Sequence, residues 1–349
     1  MHSAPRVLVT IAAFLSAACS TGGDEKLQVT RDTLPNGAVS IHYAALPDAA
    51  DTLTPNLTIG AVDGVPHEMF GDIRAIEVDT DGRIYVLDYQ AAEVRAFDSS
   101  GTYLRTLTRS GRGPGELVRA NGMILSADGT LWIQDHAQRT IIGVDLHGNE
   151  ISRFPMPVRA YGYMWDAVLD EQGRFWQQTS HSDEPPVFPP KLGVNEGSSR
   201  TYQRWFNPAD QTTDSVFMGE ASRRWHVSRT ADGGWRHSSI PLGARGAMIS
   251  DPAGGFWTTR GDAWRVEHLD EQGDTVMVLQ VDIAPAAVTD EDRQRVIDSH
   301  LEDSRGSLVV AKEIVSLMPA TKPVLDQLVL DDQGNLWARR YADPNEFPY

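Results

Sequence analysis

One short pattern recurs along the chain and limits its fold more than any other feature. It is a turn, a glycine, then two or three residues to an aromatic that opens a β-rich run. It reads Asp81-Gly82-Arg83-Ile84-Tyr85-Val86, Asp128-Gly129-Thr130-Leu131-Trp132-Ile133 and Gln172-Gly173-Arg174-Phe175-Trp176. It returns as Ala253-Gly254-Gly255-Phe256-Trp257 and Gln333-Gly334-Asn335-Leu336-Trp337. The aromatics are spaced by 47, 44, 81 and 80 residues, so the last two intervals are each about double the first two. Each long interval therefore has room for a further unit, one degenerate and one occupied by an insertion.

A second marker follows the first at a fixed distance. Phe97-Asp98-Ser99-Ser100-Gly101, Val144-Asp145-Leu146-His147-Gly148 and Leu269-Asp270-Glu271-Gln272-Gly273 each end 19 residues after the first glycine of their unit. In the third unit Phe206-Asn207-Pro208-Ala209-Asp210 ends 37 residues after Gly173, and the Pro-rich stretch from His181 to Arg200 reads as a surface loop. Glycine permits positive φ in a tight hairpin turn, and aspartate suits the same turn. The flanks, such as Ile84-Tyr85-Val86-Leu87 and Val94-Arg95-Ala96-Phe97, have β character. Each unit is thus two linked hairpins, a four-stranded antiparallel sheet of about 40–50 residues. One such sheet cannot bury both faces alone. Radial stacking buries them, with Trp and Tyr filling the gaps between blades. The fold expected is all-β, a six-bladed β-propeller.

The segment Gly111-Arg112-Gly113-Pro114-Gly115-Glu116-Leu117, between the first two units, resembles the inter-blade loop of six-bladed, NHL-like propellers in bacterial lipoproteins. Asp262-Ala263-Trp264-Arg265-Val266 and Asn335-Leu336-Trp337-Ala338-Arg339-Arg340-Tyr341 also look like that family, and the likeness covers most of residues 66–349. It implies a fold and an exported location, and no assigned reaction.

The blades are expected at 66–108, 115–157, 160–217, 218–243, 244–284 and 322 onward. Trp225-His226-Val227 and Gly233-Gly234-Trp235 are the only anchors of the fourth. Residues 285–321 differ in character: Thr289, with Asp292 three residues on, predicts a helix start, and one or two helices are expected on the propeller. In the last blade the second marker would fall beyond Tyr349. Either the sequence is a fragment, or N-terminal strands complete the blade. Val39-Ser40-Ile41-His42-Tyr43 and Leu57-Thr58-Ile59 are the candidates for closure. The fragment is preferred, since Asn345-Glu346-Phe347-Pro348-Tyr349 has no stop character.

Residues 1–19 read as an export signal. Arg6 supplies positive charge, and Val7 to Leu15 form an apolar core too short to span a bilayer. Leu15-Ser16-Ala17-Ala18-Cys19 resembles a lipobox, with Ser16 where Leu is usual, and places the lipidation site at Cys19. A plain secretory signal cut after a nearby alanine is the other reading. Residues 20–35 then form a tether and 36–349 the propeller. Cys19 is the only cysteine of 349 residues, which removes a disulfide framework, a thiol nucleophile elsewhere and a cysteine-rich zinc site. Acylation would anchor the protein on the periplasmic or outer-membrane side with no other membrane contact. A balance of 41% hydrophobic and 23% charged residues excludes wholesale disorder. A net charge of −17 excludes nucleic acid as a partner.

There is no HExxH helix, GxSxG elbow or Walker loop, and the ten histidines are scattered singly. The glycines of 111–115 lack a following Lys-Ser/Thr and read as a connector rather than a phosphate loop. The position three after each blade aromatic holds Asp88, Asp135, Thr179, Arg260 and Arg340. Asp88 and Asp135 suit turn capping and stand also as ligand-binding candidates. Turn chemistry does not demand arginine, so Arg260 and Arg340 are candidates for an anionic group such as a carboxylate or sugar acid, against a reading as solvated surface arginines. Trp165 is a candidate pore-lining residue, or blade-packing core. The expected function is a binding module at the cell envelope, for a small anionic ligand or an envelope protein, with no cofactor. The alternative is a metal-dependent hydrolase or lyase of the lactonase type, which would need a divalent cation in the central channel.

Overall fold

The structure is a computed structural model and describes residues 28–45, 56–155, 167–181, 188–230, 233–302, 307–331 and 333–341. An N-terminal hairpin comes first, β1 (Val29–Thr33) and β2 (Val39–Tyr43). The first blade sheet is β3 (Ile73–Val78), β4 (Ile84–Asp88), β5 (Glu93–Phe97) and β6 (Tyr103–Thr106). A short connector carries β7 (Arg109–Ser110) and β8 (Glu116–Leu117). The second blade sheet is β9 (Ala120–Leu125), β10 (Thr130–Asp135), β11 (Thr140–Asp145) and β12 (Glu150–Pro155). The third contains β13 (Val168–Leu169), β14 (Phe175–His181), β15 (Gly193–Phe206), β16 (Thr213–Arg229) and β17 (Trp235–Ser239). Next come β18 (Ala247–Ser250), β19 (Phe256–Thr259), β20 (Arg265–Leu269) and β21 (Thr275–Val281). Two helices follow, α1 (Asp290–Glu302) and α2 (Leu308–Ser316), and then β22 (Leu325–Leu330) and β23 (Leu336–Arg340). The blade sheets are antiparallel meanders.

The beat in the sequence is a carboxylate clamp. In the first turn of a blade one aspartate accepts from amides two and four residues on. Its other oxygen accepts from the aromatic ring group six residues on. Asp79 holds the Asp81 and Arg83 amides and the Tyr85 hydroxyl, the last at 2.8 Å. Asp170 holds the Gln172 and Arg174 amides and the Trp176 indole N–H at 2.7 Å. Asp331 does the same with Gln333, Asn335 and Trp337. Asp251 bonds the Ala253 amide and the Trp257 indole. In the second blade Ser126 stands at the clamp position and bonds Asp128 and the Thr130 carbonyl instead. Asp98, Asp145 and Asp270 close the second turns by the same amide bonds without the ring. Tyr85, Trp132, Trp176, Trp257 and Trp337 all lie on the second strand of their sheets, in β4, β10, β14, β19 and β23.

Successive sheets meet in four apolar seams. Leu87, Val94, Leu131 and Ile142 fill the first. Ile141, Phe175 and Phe206, with Trp132 and Phe154, fill the second. Trp176 meets Phe256 edge-on at 5.1 Å in the third. Val266, Leu325 and Leu328 fill the fourth with Trp257.

Three expectations are corrected. Residues 218–243 do not make a separate fourth blade, since β16 runs through them from Thr213 to Arg229 and pairs with β15 and β17 in the third unit's sheet. The third seam then brings that sheet directly against the one carrying Trp257, so the expected third and fourth units share one sheet among the described residues. Val39–Tyr43 do not join the last blade: β2 pairs in parallel with β21, and Leu57–Ile59 form no strand. Val29–Thr33, expected in the tether, form β1 against β2. Residues 342–349, on which the fragment reading rested, lie outside the described residues.

The insertion at 285–321 holds α1 and α2. Thr289 and Asp292 form a reciprocal cap at the start of α1, with the Asp292 amide bonded to the Thr289 hydroxyl and the Thr289 amide to Asp292. Lys322 reaches Asp292 at 2.8 Å and holds its carboxyl down at about 2.

Candidate functional site

The second strands of neighbouring sheets end close to one another in two pairs, β4 with β10 and β19 with β23. Asp88 and Asp135 close β4 and β10, and both are buried. Asp88 accepts from the amides of Gly71, Asp72, Gln90 and Ala91. Asp135 accepts from Val118, Arg119, Ala137 and Gln138. Each carboxylate therefore ties its own turn to the segment that enters its blade. The next residues, Tyr89 and His136, stack at 6.2 Å and 9°, and the Arg74 guanidinium lies 4.5 Å over Tyr89. Thr179 falls inside β14. Arg260 follows β19 and Arg340 closes β23, and both are exposed. The backbone brings them close, because the Gly261 carbonyl accepts from Val324 and Leu325 pairs with Arg340. Trp165 and Cys19 lie outside the described residues.

The connector at 111–115 turns its amides on the protein's own carboxylates. Gly113 donates to Glu116 and Gly115 to Glu150 at 2.6 Å, while Arg109 pairs with Glu116. An anion-binding turn is there, and two side chains of the chain fill it.

A second concave place was not read from the sequence. Beyond the second-strand ends, β15 and β16 continue as a long hairpin. Between it, β17, the loop to β18 and the end of α2 lies a cleft of about 950 Å³. Arg223, Arg224, Trp225, His237, Ser239 and Arg245 line it, and among the described residues no aspartate or glutamate does. Arg224 is paired with Glu196 at 2.9 Å, and Arg245 donates to the Ser239 hydroxyl. Arg223 and Arg245 have no carboxylate partner among the described residues. Trp225 lies against Gly197, where a Cβ would stand 3.2 Å from the indole. Buried His226, one residue on, bonds Glu313 of α2 at 2.7 Å and ties the hairpin to the helical insertion. The run Arg223-Arg224-Trp225-His226 in an acidic chain was the signal available in the sequence. The other cations arrive from β17 and the 240–246 loop, which no local spacing links to it.

Successive antiparallel sheets, most with a ring-clamped first turn, define the class as a β-propeller. Residues 67–184 match the model of a family described as a 6-bladed beta-propeller, and the resemblance first read at Gly111–Leu117 stands. No curated protein matches the chain. Among solved structures it is similar to a Bacteroides fragilis protein named as exported (9% identity, 82% of this chain and 75% of that one, TM-score 0.39). It is similar also to a gluconolactonase of Xanthomonas campestris (13%, 78% and 84%, 0.28). A virginiamycin B lyase of Staphylococcus aureus is a third (14%, 61% and 85%, 0.28). Likeness this loose says nothing about activity. Among the described residues no helix is long and apolar enough to cross a membrane, and no three of His, Cys, Asp and Glu converge as a metal site.

Proposed function

We propose that this propeller is an exported binding module of the cell envelope. It is anchored by a lipid on Cys19 and holds an anionic ligand, a small molecule or the acidic surface of an envelope protein, in the cleft beside Trp225. The observation that carries the binding role is the cleft's charge: in a chain of net charge −17, its walls carry arginine, histidine and serine and, among the described residues, no acid. Guanidinium forks suit carboxylate and phosphate, and a concave wall desolvates what they hold. The exposed pair Arg260 and Arg340 offers like charge at the end of the disc. The anchor is supported by the sequence before Cys19 alone.

Two measurements test this. Cells labelled with palmitate should yield labelled protein, and Cys19→Ser should lose the label. Titration with citrate and with inorganic phosphate should show binding that weakens at least tenfold in Arg223→Ala/Arg245→Ala and stays unchanged in Arg260→Ala/Arg340→Ala. The reverse result would move the site to the end of the disc, and no binding to either anion would remove the anionic reading.

A further inference from the structure

The cleft carries more than charge. Its volume, about 950 Å³, stands at the upper end of small-molecule sites, room for an oligomer rather than a lone ion. One wall is an indole: Trp225 is half-buried, lies against the Gly197 backbone and lines the cleft. A Cβ at position 197 would stand 3.2 Å from the indole, so the ring would have to give by a few tenths of an ångström. Ser239, cross-strand from Trp225, brings a hydroxyl to the indole's face, where it accepts from Arg245 and keeps a proton to donate; Ser198, Ser222 and Ser238 also line the cleft. Arg223 and Arg245 supply cations without a carboxylate partner among the described residues.

A flat aromatic face, a serine hydroxyl and planar cations answer three features of one ligand class. A pyranose ring has an apolar C–H face for the indole, hydroxyls for the serines and, where it is oxidised, a carboxylate for the guanidinium. From this we infer that the cleft binds an acidic saccharide, a short chain of uronic-acid units with one ring stacked on Trp225. The inference rests on the anionic-ligand reading and narrows it. An acidic peptide is the competing class, because residues 219–224 of β16 have no strand on the side away from β15 among the described residues, and a peptide could add there. Peptide backbone needs that edge and gains nothing specific from an indole platform, whereas Gly197 leaves room for the indole against the strand.

The full chain is titrated with trigalacturonate, with its methyl-esterified counterpart and with a hexaglutamate peptide. The inference expects trigalacturonate to bind at least tenfold more tightly than either comparator. It also expects Trp225→Ala and Arg223→Ala each to weaken it at least tenfold, and Trp225→Tyr to retain most of it. Arg223 is exposed, so its variant reports even if the Trp225→Ala chain folds poorly. Equal or tighter binding of the peptide, or binding indifferent to both residues, overturns the saccharide and leaves the anionic reading standing. Failure of all three probes together with citrate and phosphate overturns both.

Discussion

The residue that defines this fold is the first-turn aspartate. The aromatic six residues on takes its place because one carboxylate organises the turn with one oxygen and holds a ring N–H or O–H with the other. The bond is the same in each blade that has it, but the surroundings differ. Trp176 is 4% exposed and Trp337 is 57% exposed. Around Asp331 the Trp337 indole and the Asn335 amide hold the carboxyl down at about 2 in open solvent. Asp170→Ala would strand a buried indole N–H and leave Arg174 without its 2.6 Å partner. We expect it to cost about 2–4 kcal/mol in urea denaturation. Asp331→Ala should shift the midpoint visibly less, since water replaces the lost bonds. Equal losses at the two sites would mean that the clamp acts through the turn alone.

At the scale of elements, the two long intervals of the sequence turned out to be different objects. One is a hairpin, β15 and β16, whose alternation cannot be told from that of blade strands, so a protruding ribbon reads as a degenerate blade. The other is the helical insertion, legible because Thr289 and Asp292 form a local signal and the apolar spacing changes period. The turns were legible for the same reason, since each needs its aspartate and its glycine within five residues. The cleft was not, since its cations come together only after the hairpin, β17 and α2 have packed. The cap also sets a measurable quantity. Thr289→Ala removes one half of a reciprocal pair and should cost about 1 kcal/mol, read as a lower thermal midpoint. Asp292, held down by Lys322, adds stability that is complete above the ordinary carboxylate range and is lost as pH falls towards about 2.

On the scale of the whole molecule, stability resides in the seams, and one of them carries a titratable group. Glu77 lies on β3, the innermost strand of the first blade, beside β9. Burial pushes its carboxyl up to about 7, and the Leu125 backbone amide opposes only part of that. Below about 4.5 the folded and unfolded chains both hold the proton. Between there and about 7 only the folded chain keeps it, so stability declines as pH rises and then levels off. Glu77→Gln removes that decline: it should melt at the wild-type temperature at pH 4 and about 2–4 °C higher at pH 8. A variant that melts lower at pH 8 would show that the charged form is stabilised.

The parallel pairing of β2 with β21 also governs posture. Nine residues separate Cys19 from Val29, and ten residue steps reach no further than about 35 Å when fully drawn out. An acyl chain on Cys19, as proposed, would therefore tether the β1–β2 edge of the Trp257 sheet within that reach of the lipid headgroups.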